Sequence, residues 1–147
     1  MQELRELYQE TILEHSRKPR NYGELPSANH KAEGFNPLCG DHYTVFVNVK
    51  DGAIAEISFH GAGCAISKAS ASMMTQSLKG KSAEEAEALF SRFHDLVTGA
   101  GGKPEELGKL AVFAGVSEFP LRVKCATLAW HAMRAALRGD QDAVSTE

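Results

Sequence analysis

The sequence lacks the features that mark several classes of protein. No stretch approaches the about 18 consecutive apolar residues that a membrane span requires, and charged residues interrupt the start of the chain, where a secretory signal has an apolar segment. There is no surplus of basic residues for phosphate contacts, since 16 Lys and Arg against 19 Asp and Glu give a net charge of -3. We therefore expect a cytoplasmic protein that binds neither a membrane nor nucleic acid.

Cysteine is also scarce, and its distribution argues against a disulfide framework. The chain has 3 cysteines, an odd number, and they lie far apart as Cys39, Cys64 and Cys125. None of the paired spacings of a zinc finger occurs among them. Widely spaced cysteines of this kind suit a reducing compartment in which thiols bind metal or react. Their chemistry is therefore the leading question about function.

The rest of the composition is that of one ordinary globular domain. A length of 147 residues is typical of a single domain, and 43% hydrophobic with 24% charged residues is enough for one core. We predict a single domain over residues 1–139. Residues 140–147 are predicted to form a flexible C-terminal tail, because they have nothing to bury.

The clearest local pattern predicts a β-hairpin. Alternate residues are apolar from Tyr43 to Val49 and again from Ala55 to Phe59. Asp51-Gly52 joins the two runs, and this pair is typical of a tight type I′ turn. A further short strand is predicted at about residues 30–35. The sequence therefore predicts a small antiparallel sheet of about three strands.

Helical patterns surround this hairpin. Four helices are predicted: one before Pro19, one over about residues 64–78, one behind the capping box Ser82-x-x-Glu85, and one that begins at Phe119-Pro120. A short additional helix is suggested by Leu107, Leu110, Ala111 and Ala114. The last long helix is predicted to share one inward face among Leu121, Cys125, Leu128, Ala132 and Ala136. Together these elements indicate an α+β fold with the sheet packed against helices.

Two of the cysteines lie at the ends of predicted elements. Cys39 lies in the turn sequence Asn36-Pro-Leu-Cys-Gly-Asp41, and Cys64 lies where a helix begins, so that the helix dipole favours its thiolate. Both ends of a hairpin meet at one end of a sheet, so these two cysteines are predicted to be neighbours. Cys125 could close a third side. Three thiolates and one carboxylate suit either Zn²⁺ or an iron-sulfur cluster.

Three segments together resemble the cysteine blocks of the IscU-type iron-sulfur cluster assembly scaffolds. They are Asn36-Pro-Leu-Cys-Gly-Asp41, Gly61-Ala-Gly-Cys-Ala-Ile-Ser67 and Arg122-Val-Lys-Cys-Ala-Thr-Leu-Ala-Trp130. The resemblance runs from the N-terminal helix to Arg138. Lys124 stands where the housekeeping scaffolds have a histidine, and the segment over about residues 81–102 resembles an insertion of the SufU proteins. The sequence is therefore most similar to the SufU type.

The resemblance implies both a fold and a function. It implies the α+β fold of IscU and SufU proteins, and zinc held by Cys39, Asp41, Cys64 and Cys125. It also implies a zinc-dependent sulfurtransferase whose catalytic Cys39 accepts persulfide sulfur from a SufS-like cysteine desulfurase. Downstream cluster-assembly proteins or apoproteins would then receive the sulfur. A metal-bound thiol is already ionised at neutral pH, which suits attack on a persulfide.

Two other functions are compatible with the same residues. The four side chains could assemble and transfer a labile 2Fe-2S cluster, or zinc could stabilise a binding module that has no sulfur chemistry. We also expect Lys124 and Arg122 to support the site. Four negative ligands around Zn²⁺ leave a local charge of about -2, which nearby cations would offset. The alternative for Lys124 is a solvated position on a helix face.

Overall fold

A computed structural model of the chain describes residues 2–101, 103–139 and 144–145. Its helices and strands, in chain order, are α1 (Gln2–Arg17), β1 (His30–Asn36), β2 (Asp41–Lys50), β3 (Ala53–Ala62), α2 (Ala65–Leu78), α3 (Ala83–Thr98), α4 (Pro120–Arg138) and β4 (Val144–Ser145). The order confirms the predicted α+β class.

The sheet is built around the predicted hairpin. Its strand order is β3-β2-β1-β4, and β3, β2 and β1 pair antiparallel with one another. The two-residue β4 pairs in parallel with β1, with Val144 opposite Gly34, a pairing that the sequence did not predict. The other residues of the predicted tail, 140–143 and 146–147, lie outside the described part of the chain, so the flexibility of the tail stays a prediction.

The turn between β2 and β3 has the predicted conformation. Asp51 has φ 54° and Gly52 has φ 79°, so both residues occupy the left-handed region that a type I′ turn requires. This turn brings the start of β2 and the end of β3 to the same end of the sheet. His42 lies opposite Ala62 there. The residues just before β2 and just after β3 are therefore neighbours.

The inward face of the sheet packs against α2 and α4. Alternate side chains of β2 and β3 are buried on this face: Tyr43, Val45, Val47, Ile57 and Phe59. Such burial contributes about 1.5–3 kcal/mol for each large side chain. On α4, Trp130 stacks on Phe93 of α3, with 4.6 Å between the ring centroids. The segment that resembles the SufU insertion therefore supports the helix that carries Cys125.

The ends of the long helices agree with the sequence signals. Ser82 and Glu85 form the predicted capping box at the start of α3, and Gly99 ends that helix in the left-handed conformation. Pro120 is the first residue of α4. None of the helices in the described ranges is both long and apolar enough to span a membrane.

The short additional helix is not an α-helix. The chain forms 3₁₀ turns over Pro104–Glu106 and Gly108–Glu118 instead. The buried residues of the longer segment are Leu110, Phe113 and Val116, at a spacing of three. Three residues per turn is the repeat of a 3₁₀ helix, so this geometry places all three side chains on the core.

Leu121 does not share the inward face predicted for the last helix. Its side chain is 59% exposed, whereas Cys125, Leu128, Ala132 and Ala136 are all buried. The first three residues of α4 are all exposed, and the helix begins to contact the core only at Val123, which is half-buried. Helical spacing alone does not reveal where the covering elements end.

Candidate functional site

Cys39 lies in the short loop that connects β1 to β2. Asn36, the last residue of β1, pairs with Asp41, the first residue of β2. Within the loop, the carbonyl oxygen of Asn36 accepts hydrogen bonds from the backbone N–H groups of Cys39 (3.2 Å) and Gly40 (2.9 Å). The loop is therefore a compact turn closed by its own backbone, and Cys39 is exposed at its tip.

Asp41 is buried although it bears a carboxylate. Its side chain is at the base of the loop, and the residue is only 1% exposed. The backbone N–H of Cys64 donates to Oδ1 at 2.8 Å, and the Cys64 sulfur lies 3.9 Å from Oδ2. A Cβ atom at Gly63 would lie 2.5 Å from Oδ1, so only glycine permits this close approach. The carboxylate is thus aimed toward the thiols rather than into solvent.

Cys64 is the N-cap residue of α2. Its sulfur accepts a hydrogen bond from the backbone N–H of Ser67 at 3.4 Å, and the Ser67 hydroxyl lies 3.6 Å from the same sulfur. The hydroxyls of Ser67 and Tyr43 are 3.0 Å apart. Cys64 therefore lies at the start of a helix, as predicted. Donors at a helix N-terminus stabilise a thiolate.

Cys125 lies on the second turn of α4 and is 3% exposed. Its sulfur is 3.4 Å from the sulfur of Cys39. The side-chain amide nitrogen of Asn36 lies 3.8 Å from the Cys125 sulfur. Cys125 is thus enclosed by the protein, whereas Cys39 beside it is exposed.

The donor atoms suit a metal ion. One ligand atom from each of Cys39, Asp41 and Cys125 lies within 4.8 Å of the other two. Cys64 is outside this tight group but adjoins it, with its sulfur 3.9 Å from Oδ2 of Asp41. In a zinc tetrahedron with Zn–S bonds of about 2.3 Å, two sulfurs stand about 3.8 Å apart, close to the separation of Cys39 and Cys125. Two thiols and a buried carboxylate, with a third thiol beside them, therefore fit a zinc ion.

The thiols influence one another's ionisation. A hydrogen bond from the Cys125 thiol and further donors on Ser67 lower the pKa of Cys64 to about 6, against the raising effect of burial. The same hydrogen bond to Cys64, together with burial, raises the pKa of Cys125. Burial also raises the pKa of Tyr43, which keeps its hydroxyl protonated. These opposite shifts favour the thiolate at Cys64 over a thiolate at Cys125.

The two predicted supporting cations lie near the start of α4. Arg122 is exposed, and its guanidinium lies 4.7 Å from the centre of the Phe119 ring. Lys124 is half-buried, next to Cys125 along the chain. Within the described part of the chain, neither residue forms an ion pair. Their support of the site stays a prediction.

Three residues of the site were not identified from the sequence as participants. They are Asn36, Tyr43 and Ser67, whose side chains contact the cysteines or one another. Tyr43 has the alternating spacing of an ordinary core residue, and Ser67 lies in a run of small residues. A polar side chain at a core position was the one available signal, because buried polar groups need partners.

Comparison with known proteins shows similarity over nearly the whole chain. The model of the NifU-like N terminal domain family matches residues 7–126. The iron-sulfur cluster assembly scaffold protein IscU of Streptococcus pyogenes is 40% identical over 144 residues, which cover 97% of this chain and 90% of that protein. The zinc-dependent sulfurtransferase SufU of Bacillus subtilis is 38% identical over 136 residues, which cover 92% of each.

A solved structure extends the similarity to the fold. The crystal structure of FiSufU from Fervidobacterium islandicum AW-1 superimposes with a TM-score of 0.83 at 32% identity, over 87% of this chain and 94% of that chain. Sequence and fold are therefore similar to proteins of both the IscU and the SufU name.

Proposed function

We propose that this chain, which belongs to the family of NifU-like N-terminal domains that includes the IscU and SufU proteins, is a zinc-dependent sulfurtransferase of iron-sulfur cluster assembly. One observation carries the proposal. The exposed thiol of Cys39 lies 3.4 Å from the buried thiol of Cys125, in a group that also contains the buried Asp41 carboxylate. An accessible thiol therefore belongs to the same group of side chains that could bind a metal ion.

The ligands of the zinc ion would be Cys39, Asp41, Cys64 and Cys125. Bound zinc holds thiols as thiolates at neutral pH, and it has no redox chemistry that would oxidise them. The protein's own contribution is to place the donors. Asp41 is fixed by the Cys64 N–H at 2.8 Å, and Cys64 by the start of α2. Three of the four ligands are thus held by regular secondary structure.

Cys39 would accept the sulfur. Its thiolate attacks the outer sulfur of a persulfide on a cysteine desulfurase, and a new S–S bond forms at Cys39. The S–S bond of the donor breaks, and the donor cysteine leaves as a thiolate, so that atoms and charge balance. Cys39 is the exposed cysteine among the three, and a partner can reach it without unfolding the site.

The surroundings of Cys39 fit a protein as the sulfur donor. Leu38, directly before Cys39, is 58% exposed, and Leu121, one helical turn before Cys125, is 59% exposed. Large apolar side chains beside a reactive thiol favour docking of a protein surface. The donor would be a SufS-like desulfurase, and the acceptors downstream cluster-assembly proteins or apoproteins. A reducing cytoplasm would keep the three thiols available.

Lys124 and Arg122 would offset the negative charge of the site. Both lie near the N-terminus of α4, where the helix dipole disfavours cations. Nearby thiolates supply a reason to retain them there. If the Lys124→Ala protein holds zinc and accepts sulfur as the parent does, Lys124 has no supporting role.

The direct test compares the parent with Cys39→Ser in a desulfurase assay with free cysteine as the sulfur source. We expect the parent to stimulate the desulfurase and to carry a persulfide on Cys39, located by mass spectrometry. Cys39→Ser should lose both effects. If this variant stimulates the desulfurase as well as the parent does, Cys39 is not the acceptor and the proposed function is wrong.

A second candidate function is a scaffold for a labile 2Fe-2S cluster on the same ligands. It is favoured by the 40% identity to the Streptococcus pyogenes protein named as an IscU scaffold. Anaerobic treatment with iron and sulfide separates the two. A sulfurtransferase keeps its zinc and stays colourless, whereas a scaffold turns brown and then matures an apo-ferredoxin.

A further inference from the structure

We infer that Asn36 is a positioning residue that ties the Cys39 loop to the Cys125 sulfur and makes the two thiolates unequal. The inference rests on the metal site of the proposed function and adds to it a difference between two of its ligands. It assigns Cys125 as the sulfur that stays on the metal and Cys39 as the sulfur that is free to react.

Asn36 is completely buried, with 0% of its surface exposed. Its side-chain oxygen accepts a hydrogen bond from the backbone N–H of Leu38 at 3.2 Å, while its backbone carbonyl holds Cys39 and Gly40. An Asn side chain that bonds the backbone two residues later pre-forms a turn. Asn36 therefore shapes three successive residues of the loop that presents Cys39.

The other end of the same amide faces Cys125. Its Nδ2 lies 3.8 Å from the Cys125 sulfur, which is the partner of this nitrogen in the described structure. A buried amide N–H needs an acceptor, and a thiolate is a good one. One planar group, with its oxygen on the loop and its nitrogen on the sulfur, thus spans from the β1–β2 loop to α4.

The consequence is chemical as well as geometric. A hydrogen bond to a metal-bound thiolate draws electron density from the sulfur and makes it a weaker nucleophile, and it also fixes its orientation. Cys125 receives this bond from Asn36, whereas the sulfur partner of Cys39 in the described residues is the thiol of Cys125 itself. Attack by Cys39 is therefore favoured over attack by Cys125.

Two substitutions separate the two contacts. In Asn36→Ser, the hydroxyl can still accept from the Leu38 N–H, but it is too short to reach Cys125. Asn36→Ala removes both contacts. Asn48→Ser is the matched control, because Asn48 lies on the same sheet, near the opposite end of β2.

The readouts are Co²⁺ absorption and zinc affinity. With Co²⁺ in place of zinc, loss of the N–H···S bond raises the energy of the sulfur lone pairs, so the sulfur-to-cobalt charge-transfer band of Asn36→Ser should move to longer wavelength. Its zinc affinity, measured against a chromophoric chelator, should fall about 10-fold. In Asn36→Ala, Cys39 should in addition be alkylated faster. Asn48→Ser should match the parent.

A measurement on the unaltered protein guards against a variant that fails to fold. In the ¹¹³Cd-loaded parent, the side-chain amide protons of Asn36 should show a scalar coupling to cadmium through the hydrogen bond and the Cys125 sulfur. A folded Asn36→Ser protein with the parental Co²⁺ band and zinc affinity would overturn the inference, as would Asn36 amide protons unchanged between the metal-free and the ¹¹³Cd form. If the parent binds none of the three metals, the proposed metal site fails and the inference with it.

Discussion

The two sides of the thiol cluster are held in different ways. On one side, Asp41 and Cys125 are almost fully buried, and Cys64 is the cap of α2. On the other side, Cys39 is exposed in a four-residue loop between β1 and β2. The buried side is set by regular elements packed on the core, whereas the loop is set by its own turn and by Asn36.

This difference suits the two tasks that the proposed function requires of one site. Holding a metal requires ligands that do not move, which strands and helices supply. Passing sulfur to another protein requires a thiol that the partner can reach, which a loop supplies. A site held rigidly on every side would bind zinc and stay inert, and a site made only of loops would lose the metal.

The largest effect is expected when a methyl group is added at Gly63, on the buried side of the site. The same addition at Gly40, in the Cys39 loop, provides the comparison. In Gly63→Ala, the new Cβ would collide with the Asp41 carboxylate at 2.5 Å and with the hydroxyls of Ser67 and Tyr43 at 2.7 Å. We expect zinc affinity to fall about 10- to 100-fold, because the proposed ligand Asp41 is displaced.

In Gly40→Ala, the new Cβ meets nothing within 4 Å, but the backbone has φ +73°. This strain should lower the free energy of unfolding by about 1–2 kcal/mol. The loss of zinc affinity should be smaller than in Gly63→Ala. Chelator competition and urea unfolding of both variants check the prediction. Equal zinc affinities in the two variants would remove the contrast between the rigid side and the loop.

An intermediate effect is expected at the contact between the helices that hold Cys64 and Cys125. The buried Ser70 hydroxyl of α2 donates to the Ala126 carbonyl at 2.5 Å and accepts from the Trp130 indole N–H at 3.1 Å. Ser70→Ala removes the added bond to the Ala126 carbonyl and leaves the buried Trp130 indole N–H without its acceptor, so the free energy of unfolding should fall by about 2 kcal/mol.

The matched control is Ser77→Ala on the same helix. Ser77 is half-buried and bonds only the Met73 carbonyl one turn earlier. Its loss should change the free energy of unfolding by less than about 0.5 kcal/mol in a urea titration. A Ser70→Ala protein as stable as Ser77→Ala would show that this bridge does not hold the buried side together.

The smallest effect is a pH dependence of the free energy of unfolding that arises at His131, on α4. Burial, with the nearby charge of Arg134, lowers the pKa of His131 to about 4, and its ring packs edge-on against Phe90 at 5.0 Å. The unfolded chain, with an ordinary histidine pKa of about 6.5, binds the proton first as the pH falls. The stabilisation by neutral His131 is therefore complete above pH about 6.5 and is lost toward pH about 4.

His131→Gln should flatten part of this decline. We expect the free energy of unfolding of the parent to fall by about 1 kcal/mol more than that of the variant between neutral pH and pH about 4, after allowance for partial exposure. Urea unfolding over this range measures it. Parallel curves for parent and variant would exclude His131 as a source of acid sensitivity.

Local signals predicted most of the fold, because each of them acts within a few residues. Asp51-Gly52 sets the hairpin turn, and Ser82 with Glu85 caps α3, without help from the rest of the chain. The short helix after α3 was predicted, but its 3₁₀ geometry was not, because the core-facing residues Leu110, Phe113 and Val116 repeat every three residues rather than every 3.6.

The site depends on contacts between distant segments. The meeting of the hairpin ends predicted Cys39 and Cys64 as neighbours, and the inward face of the last helix made Cys125 a third candidate. The resemblance to the scaffold family then implied the full ligand set. The contact of Asn36 with Cys125 joins residues 89 positions apart, and no local spacing reveals it. The same holds for Ser67 and Tyr43, whose hydroxyls meet only when α2 packs on the sheet.

Zinc K-edge X-ray absorption of the purified protein tests the central claim most directly, because it counts the atoms around the metal. The account predicts about one zinc per chain with three sulfurs at about 2.3 Å and one oxygen at about 2.0–2.2 Å. Fewer than three sulfurs, or a protein that retains no zinc, would contradict the proposal that Cys39, Cys64, Cys125 and Asp41 converge on one ion.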